Sequence, residues 1–340
     1  MEQQLVPRGV AQSPAEQTLK PLARPRGVPV PAGPYDWGLF GPDSISWRVH
    51  SNPVLLVGGL RALIIQSLNP LAMAGIDQHS DYLANPLSRL RRTAEYVATV
   101  VYGDSASAHR AAEMVQRLHS RVRGIDPITG APYSAADTET KLWVHCVEVH
   151  SFLAAYRAYG ARLDNAEQDA YLAEHVGAAE LMGIPAELVP SSRAGYRDFF
   201  EYMRPSLCVS EASQDAIHLV VDPPKTRELL PHQISLRMMA SAAVAITPPY
   251  MRRMAGIERS RGVYAGAATG TRISGVVMRA RMFDRMGASL VGRSHRQPPA
   301  RRQGCGEGPP AGQNGLKQGV RPQINGLWST CTQARPTPQP

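Results

Sequence analysis

Cysteine is scarce in this chain: there are four among 340 residues, and two of them, Cys305 and Cys331, fall close to the C-terminal end. So thin a set excludes a disulfide framework, and without a Cys-x-x-Cys pair neither a zinc ribbon nor a thioredoxin-type redox site has support. Nucleotide and serine-hydrolase signatures are missing as well. There is no Gly-x-Gly-x-x-Gly, no phosphate-cradling Gly-x-x-x-x-Gly-Lys loop and no Gly-x-Ser-x-Gly elbow. The absence of any Glu-x-x-His disfavours a di-iron carboxylate bundle. Strand-type alternation is nearly absent, and no internal repeat of fixed period is visible.

Acidic residues are almost missing from one region. From Val291 to Pro340 seven basic residues face Glu307 alone, so this tail holds most of the net charge of +9. The body is left close to neutral, and nucleic acid is not an expected partner. A long uninterrupted apolar run is lacking too. The best stretch, Val54 to Ile76, contains Arg61, Gln66, Asn69 and Pro70, and reads as a buried helix. Peripheral contact with a lipid surface is a weaker alternative for a domain that handles greasy substrates. Met1 to Val10 lacks an apolar segment behind a basic start, so no secretory signal is expected and cytoplasmic residence is the default.

What is present is a hydrophobic fraction of 43%, ample for a sizeable core. Three regions follow from composition. Residues 1–34 carry prolines that break any helix, and they read as a disordered leader. Residues 35–285 read as one all-α, helical-bundle domain. Residues 286–340 are rich in Gly, Pro, Gln and Arg, cannot bury enough surface to offset chain entropy, and read as a disordered basic tail.

Within the body the helices follow one another. Asp81–Tyr102 has Leu83, Leu87, Leu90, Ala94, Val97 and Val101 at helical spacing, with Pro86 tolerated in an early turn. Asp104 or Ser105 caps the next helix, whose apolar face runs through Ala108, Ala111, Val115, Leu118 and Val122 to a stop at Gly124. Pro127, Gly130 and Pro132 mark a loop. Asp137 caps a long helix that ends at Gly160, and Asp164 or Asn165 starts another that reaches Gly183-Ile184-Pro185. Further helical stretches are expected at Ser191–Met203, Pro231–Ala245 and Pro249–Ile257.

The residues that carry chemistry are few. His119 sits at the edge of its helix's apolar face. It is suited either to ligate an iron porphyrin or to sit in the core bonded to a backbone carbonyl. His145 shares a face with Leu142, Val149, Phe152 and Tyr156, and Glu148 follows within one turn, a spacing that fits metal ligation or a buried imidazole–carboxylate pair. Cys146 and His150 point elsewhere on the wheel. Arg89, Arg92 and Thr93 form an i, i+3, i+4 stripe of donors, able to meet bound dioxygen, a propionate or a carboxylate, or else simply to face solvent. A zinc site built from His119, His145 and Glu148, as in a hydrolase, is a further option. The combination suits a buried redox cofactor better than a hydrolytic centre.

Taken in order, Gly58-Gly59-Leu60-Arg61-Ala62-Leu63, Gln66, Asn69-Pro70, His79-Ser80, Pro86-x-x-Arg89-x-x-Arg92-Thr93, His119-x-x-Val122-x-Gly124, Tyr133-x-Ala135 and Trp143-Val144-His145 resemble a domain known from two kinds of enzyme. These are the rubber oxygenases (latex clearing proteins) and the fungal ER-bound oxygenases of mycophenolic acid synthesis; the resemblance covers roughly Tyr35 to Arg281. It implies a globin-like all-α fold around haem b, with dioxygen used to oxidise or cleave a carbon–carbon double bond of a hydrophobic, isoprenoid-like substrate. By the same resemblance His119 is the proximal haem ligand, and Arg89, Arg92 and Thr93 correspond to the family's Arg-x-x-Lys-Thr element. Arg92 stands where the rubber enzymes have lysine, and Asn69 where relatives often have histidine. A lysine amine can ligate iron once deprotonated, whereas a guanidinium stays charged and can only donate hydrogen bonds. Arg89, Arg92, Thr93, His145 and Glu148 are therefore the expected catalytic set. A non-catalytic helical binder of haem or lipid is the competing expectation.

Overall fold

In the computed structural model, residues 36–223 and 233–272 are described, and among them nearly all regular structure is helical. The readings of residues 1–34 as leader and 286–340 as tail lie outside the described residues. The body opens with two short segments, α1 (Ile45–His50) and α2 (Leu55–Gln66), followed by α3 (Pro70–His79). Val54–Ile76 is thus not one helix: α2 and α3 bend by 102° across Ser67–Asn69. Pro70, at the first turn of α3, cannot continue the ladder from α2, and Asn69 caps α3 by accepting from Ala72 N at 3.0 Å. No single helix among the described residues is long and apolar enough to cross a membrane.

Next comes α4 (Pro86–Tyr102), shorter at its start than Asp81 because Pro86 takes a first-turn position, where its missing N–H costs nothing. Asp104 caps α5 (Ser105–His119), its carboxylate accepting from Ser107 N at 2.6 Å. This helix stops at His119 and not at Gly124. Arg123–Ile125 (β1) then pairs antiparallel with Pro132–Ser134 (β2), and Gly124 lies opposite Tyr133. A Cβ on Gly124 would come within 2.8 Å of the Tyr133 hydroxyl and Gln78, so the glycine serves close approach and is no helix stop. Buried Asp126 organises the hairpin turn by accepting from Thr129 N at 2.8 Å, and Gly130 takes φ +71°.

The long helix α6 (Thr138–Tyr159) begins after Asp137 and ends at Gly160, as its periodicity predicts. The stretch after Asp164 is two helices, α7 (Asn165–Glu174) and α8 (Val176–Leu181), broken at His175. A reciprocal capping box between Asp164 and Glu167 starts α7, and Gly183 with φ +68° follows α8. Then come α9 (Arg193–Met203), α10 (Glu211–Val221), α11 (Gln233–Ala245) and α12 (Pro249–Met254), and residues 261–272 are helical as well. Of these α10 was not anticipated, and neither was α1.

The core lies where α2 packs along α6 and α11 packs on α2. Val57, Ile64, Ile65, Trp143, Val147, Leu153 and Ala243 are all essentially inaccessible. Gly58 lets α2 approach α6 closely, because a Cβ there would sit 2.9 Å from Phe152 Cα and from Ser151 O. Arg61 is buried in this apolar layer, at 1% exposure. It is tolerated because its guanidinium donates to Ile246 O at 3.0 Å and to Ser151 Oγ at 2.7 Å. Burial lowers its pKa to about 9, so it stays charged at neutral pH.

Candidate functional site

Three elements bring several of the expected residues near one another. On α4 Arg89, Thr93 and Tyr96 fall at i, i+4 and i+7; on α6 Lys141, His145 and Glu148 have the same spacing; and His119 ends α5. Arg89 and Lys141 both lie within electrostatic reach of His119, and Tyr96 lies within reach of Glu148. The two stripes therefore run side by side, with cations and an imidazole at one end and a phenol and a carboxyl at the other. Each spans seven residues, roughly 10 Å of helix.

The electrostatics are those of a sheltered space. His119 has its pKa lowered by burial first, then by Lys141 and Arg89, and its Nδ1 is buried with no hydrogen-bond partner. The backbone-bonded core histidine considered from sequence is not what Nδ1 shows. His145 is pushed down to about 4 by burial, and its Nε2 is likewise unpartnered. Burial raises Glu148 to about 7. Yet His119, His145 and Glu148 all keep part of their surface accessible. Strong desolvation combined with residual accessible surface is what the wall of a recess produces.

Arg89 is half-buried and donates to Ser80 Oγ at 2.9 Å, which fixes the direction of its guanidinium. Burial and the neighbouring Arg92 lower its pKa. Arg92 and Thr93 are exposed. The middle of α4 is bare: every residue from Leu90 to Glu95 is exposed, on all sides of the helix. Lys141 is tied to the α8 end by donating to Met182 O at 3.0 Å and Gly183 O at 3.1 Å.

Two expectations about pairing need correction. Glu148 and His145 share no hydrogen bond, although they lie one turn apart. Instead His145 stands against His175, ring centroids 6.5 Å apart, and His175 in turn faces His50 at 5.4 Å and Tyr171 at 4.6 Å. His50 and the Tyr171 hydroxyl are 3.2 Å apart. Further, His119, His145 and Glu148 do not assemble as a three-ligand set: among the described residues no group of three His, Cys, Asp or Glu side chains has metal-holding geometry. That removes the ground for the zinc hydrolase reading.

Sequence reasoning missed Lys141, Tyr96, His50, His175 and Tyr171. Lys141 and Tyr96 were open to discovery, since each extends a stripe already noticed by one helical turn. The His50–His175 layer was not, because it depends on how α1 and the α7–α8 break fold onto α6. Cys146 and His150 behave as their wheel positions imply. Cys146 is wholly buried, and burial raises its thiol to about 12, while His150 packs on Phe200 and Tyr196.

A family model described as "ER-bound oxygenase mpaB/B'/Rubber oxygenase, catalytic domain" matches residues 47–275. Searches of curated proteins and of solved structures return no match.

Proposed function

The chain belongs to the ER-bound oxygenase mpaB/B'/rubber oxygenase catalytic-domain family, and from that premise we propose that it is a haem b-dependent oxygenase. Its substrate in this reading is a hydrophobic, unsaturated, isoprenoid-like molecule, and dioxygen is the oxidant. Family membership supports an oxygenase taking a small molecule. The haem and the double bond are our reading of the site.

The observation that carries this reading is the unpartnered imidazole of His119 beside two cations at the mouth of a desolvated recess. A depressed pKa keeps the ring neutral at physiological pH, which is the form with a lone pair to give a metal. Haem, when bound, would supply the dioxygen chemistry. His119 would hold the iron, and Arg89 with Lys141 would pair with the carboxylates of the porphyrin edge. Arg92 and Thr93, in the open stretch of α4, would donate hydrogen bonds to dioxygen or substrate. Glu148, with a pKa near 7, is present in both protonation states at neutral pH and can take or return a proton in a dry pocket. His145 stays neutral and orients a donor or acceptor beside it.

Adding haem to the purified protein and recording its absorption spectrum tests the proposal. A Soret band that moves or vanishes in His119→Ala supports it. An unchanged band in that variant refutes the ligand assignment, and haem retention without oxygen consumption across unsaturated lipids refutes the oxygenase.

A further inference from the structure

The outer face of α5 is at odds with ordinary surface design. Met114 and Leu118, one turn apart, are each 56% exposed. Exposed Arg110 and Arg117 flank them at spacings that place these four side chains on one outward stripe, and exposed Arg121 follows in the turn just past the helix end. Glu113 is the one acidic residue along it, and it is engaged by Arg117 at 3.6 Å. The pattern continues past the helix end, where Ile125 and Ile128 in the hairpin are 58% and 53% exposed beside exposed Arg123. Bare aliphatics set among guanidinium groups are mismatched to water, and equally to an apolar protein core. They match the boundary between headgroups and acyl chains of an anionic bilayer, where arginine stems lie along apolar surface while their heads reach phosphate.

We propose that α5 and the hairpin after it form a peripheral docking surface for anionic lipid membranes. The surface stands without the haem reading. It lies clear of the buried face of α5, which carries Ala108 and Ala112, and about 100° around the helix from His119 at Leu118. One consequence does rest on the proposed function: a molecule docked by this stripe holds the recess near the layer into which an apolar unsaturated substrate partitions.

Co-sedimentation of the full chain with vesicles tests it, comparing pure phosphatidylcholine with phosphatidylcholine containing phosphatidylserine. Binding is expected to the anionic vesicles only, and to weaken with salt. At about fivefold per arginine, the triple variant Arg110→Gln/Arg117→Gln/Arg121→Gln should lose on the order of a hundredfold in partitioning. Met114→Gln/Leu118→Gln should lose roughly tenfold. Helical circular dichroism and any Soret band should be unchanged in both, which separates this test from that of the haem site. Because the C-terminal region is basic, the chain with Arg293, Arg296, Arg301 and Arg302 all changed to Gln serves as the comparison. The proposal is overturned if that chain alone loses binding while the α5 variants keep it. It is overturned equally if no vesicle is bound, or if Met114 and Leu118 instead mediate self-association in the absence of lipid.

Discussion

The α2–α6 half of the molecule and the α4–α5 half are built on opposite terms. Along α6 only Glu139 and Arg157, both charged, are exposed. Trp143, Val147, Ala155 and Tyr156 are sealed, and Gly58 brings α2 in so close that no side chain fits between. Along the middle of α4 six consecutive residues are exposed, and α5 presents Met114 and Leu118 to the outside. Packing of apolar faces supplies most helical stability in proteins, so the first half is stable on its own contacts while the second depends on what covers it. The candidate recess lies on the seam, where α6 supplies rigid side chains and α4 supplies adaptable ones.

The contrast can be broken most severely in the packed half. Trp143→Ala should cost about 3–5 kcal/mol, since Trp143 is fully buried and its Nε1 donates to Gln66 O, and urea denaturation of the haem-free protein measures it. A mid-α4 change such as Leu90→Ala should lie within about 0.5 kcal/mol in that assay. If the two cost the same, the division into a sealed and an open half is wrong.

Acid has the next largest effect, and its sign follows from burial. His50 and His145 have folded-state pKa values of about 3 and 4, and His175 is also well below its ordinary value, so each favours the native state fully above pH 6.5 and loses that contribution as pH falls. Glu148, raised to about 7, acts the other way. Its contribution is full below about 4.5, the ordinary value for its carboxyl, and is lost as pH rises through 7, in total about 3 kcal/mol. Three histidines outweigh one carboxyl between those limits, so unfolding free energy should climb from pH 4.5 to 6.5. His175→Phe should flatten the climb, and Glu148→Gln should steepen it and abolish the shallow loss near pH 7. A profile unmoved by Glu148→Gln would show that this carboxyl is solvated.

Smaller effects sharpen the open half. If haem covers α4, adding it should raise the midpoint of thermal unfolding, with Arg89→Ala reducing the rise by the equivalent of about 1–2 kcal/mol through loss of a charge-assisted hydrogen bond. Arg92→Lys is the mildest change. A spectral change confined to alkaline pH, where an amine deprotonates, would show that position 92 reaches the iron, whereas an unaltered spectrum places it on the open rim.

Much of the fold was legible along the chain. Gly160 as a stop, Asp104 and Asp164 as caps, and Pro86 in a first turn are all local devices, each acting over one turn of helix, whereas Asp137 precedes its helix without capping it, its carboxylate accepting instead from Ser134 N. The site was half legible for the same reason. Arg89 and Thr93, or His145 and Glu148, share a face by spacing alone, and the resemblance to the oxygenase family rests on these same short segments. Where α5 ends was misjudged, because Val122 and Gly124 suit a helix by spacing and leave it only to meet Ala135 and Tyr133 across the hairpin. The bend between α2 and α3 was missed although Pro70 announced it, since apolar character ran on across the break.

What the sequence determined by itself is therefore the helical alphabet of the protein, its caps and its stripes, because backbone hydrogen bonding and side-chain spacing are settled within a few residues. The tertiary structure alone decided that His145 meets His175, which in turn meets His50, instead of Glu148, that His119 Nδ1 is left without a partner, and that α4 stands bare in its middle. Those outcomes depend on which surfaces exclude water from one another, and that is a property of distant segments brought together, not of any one of them.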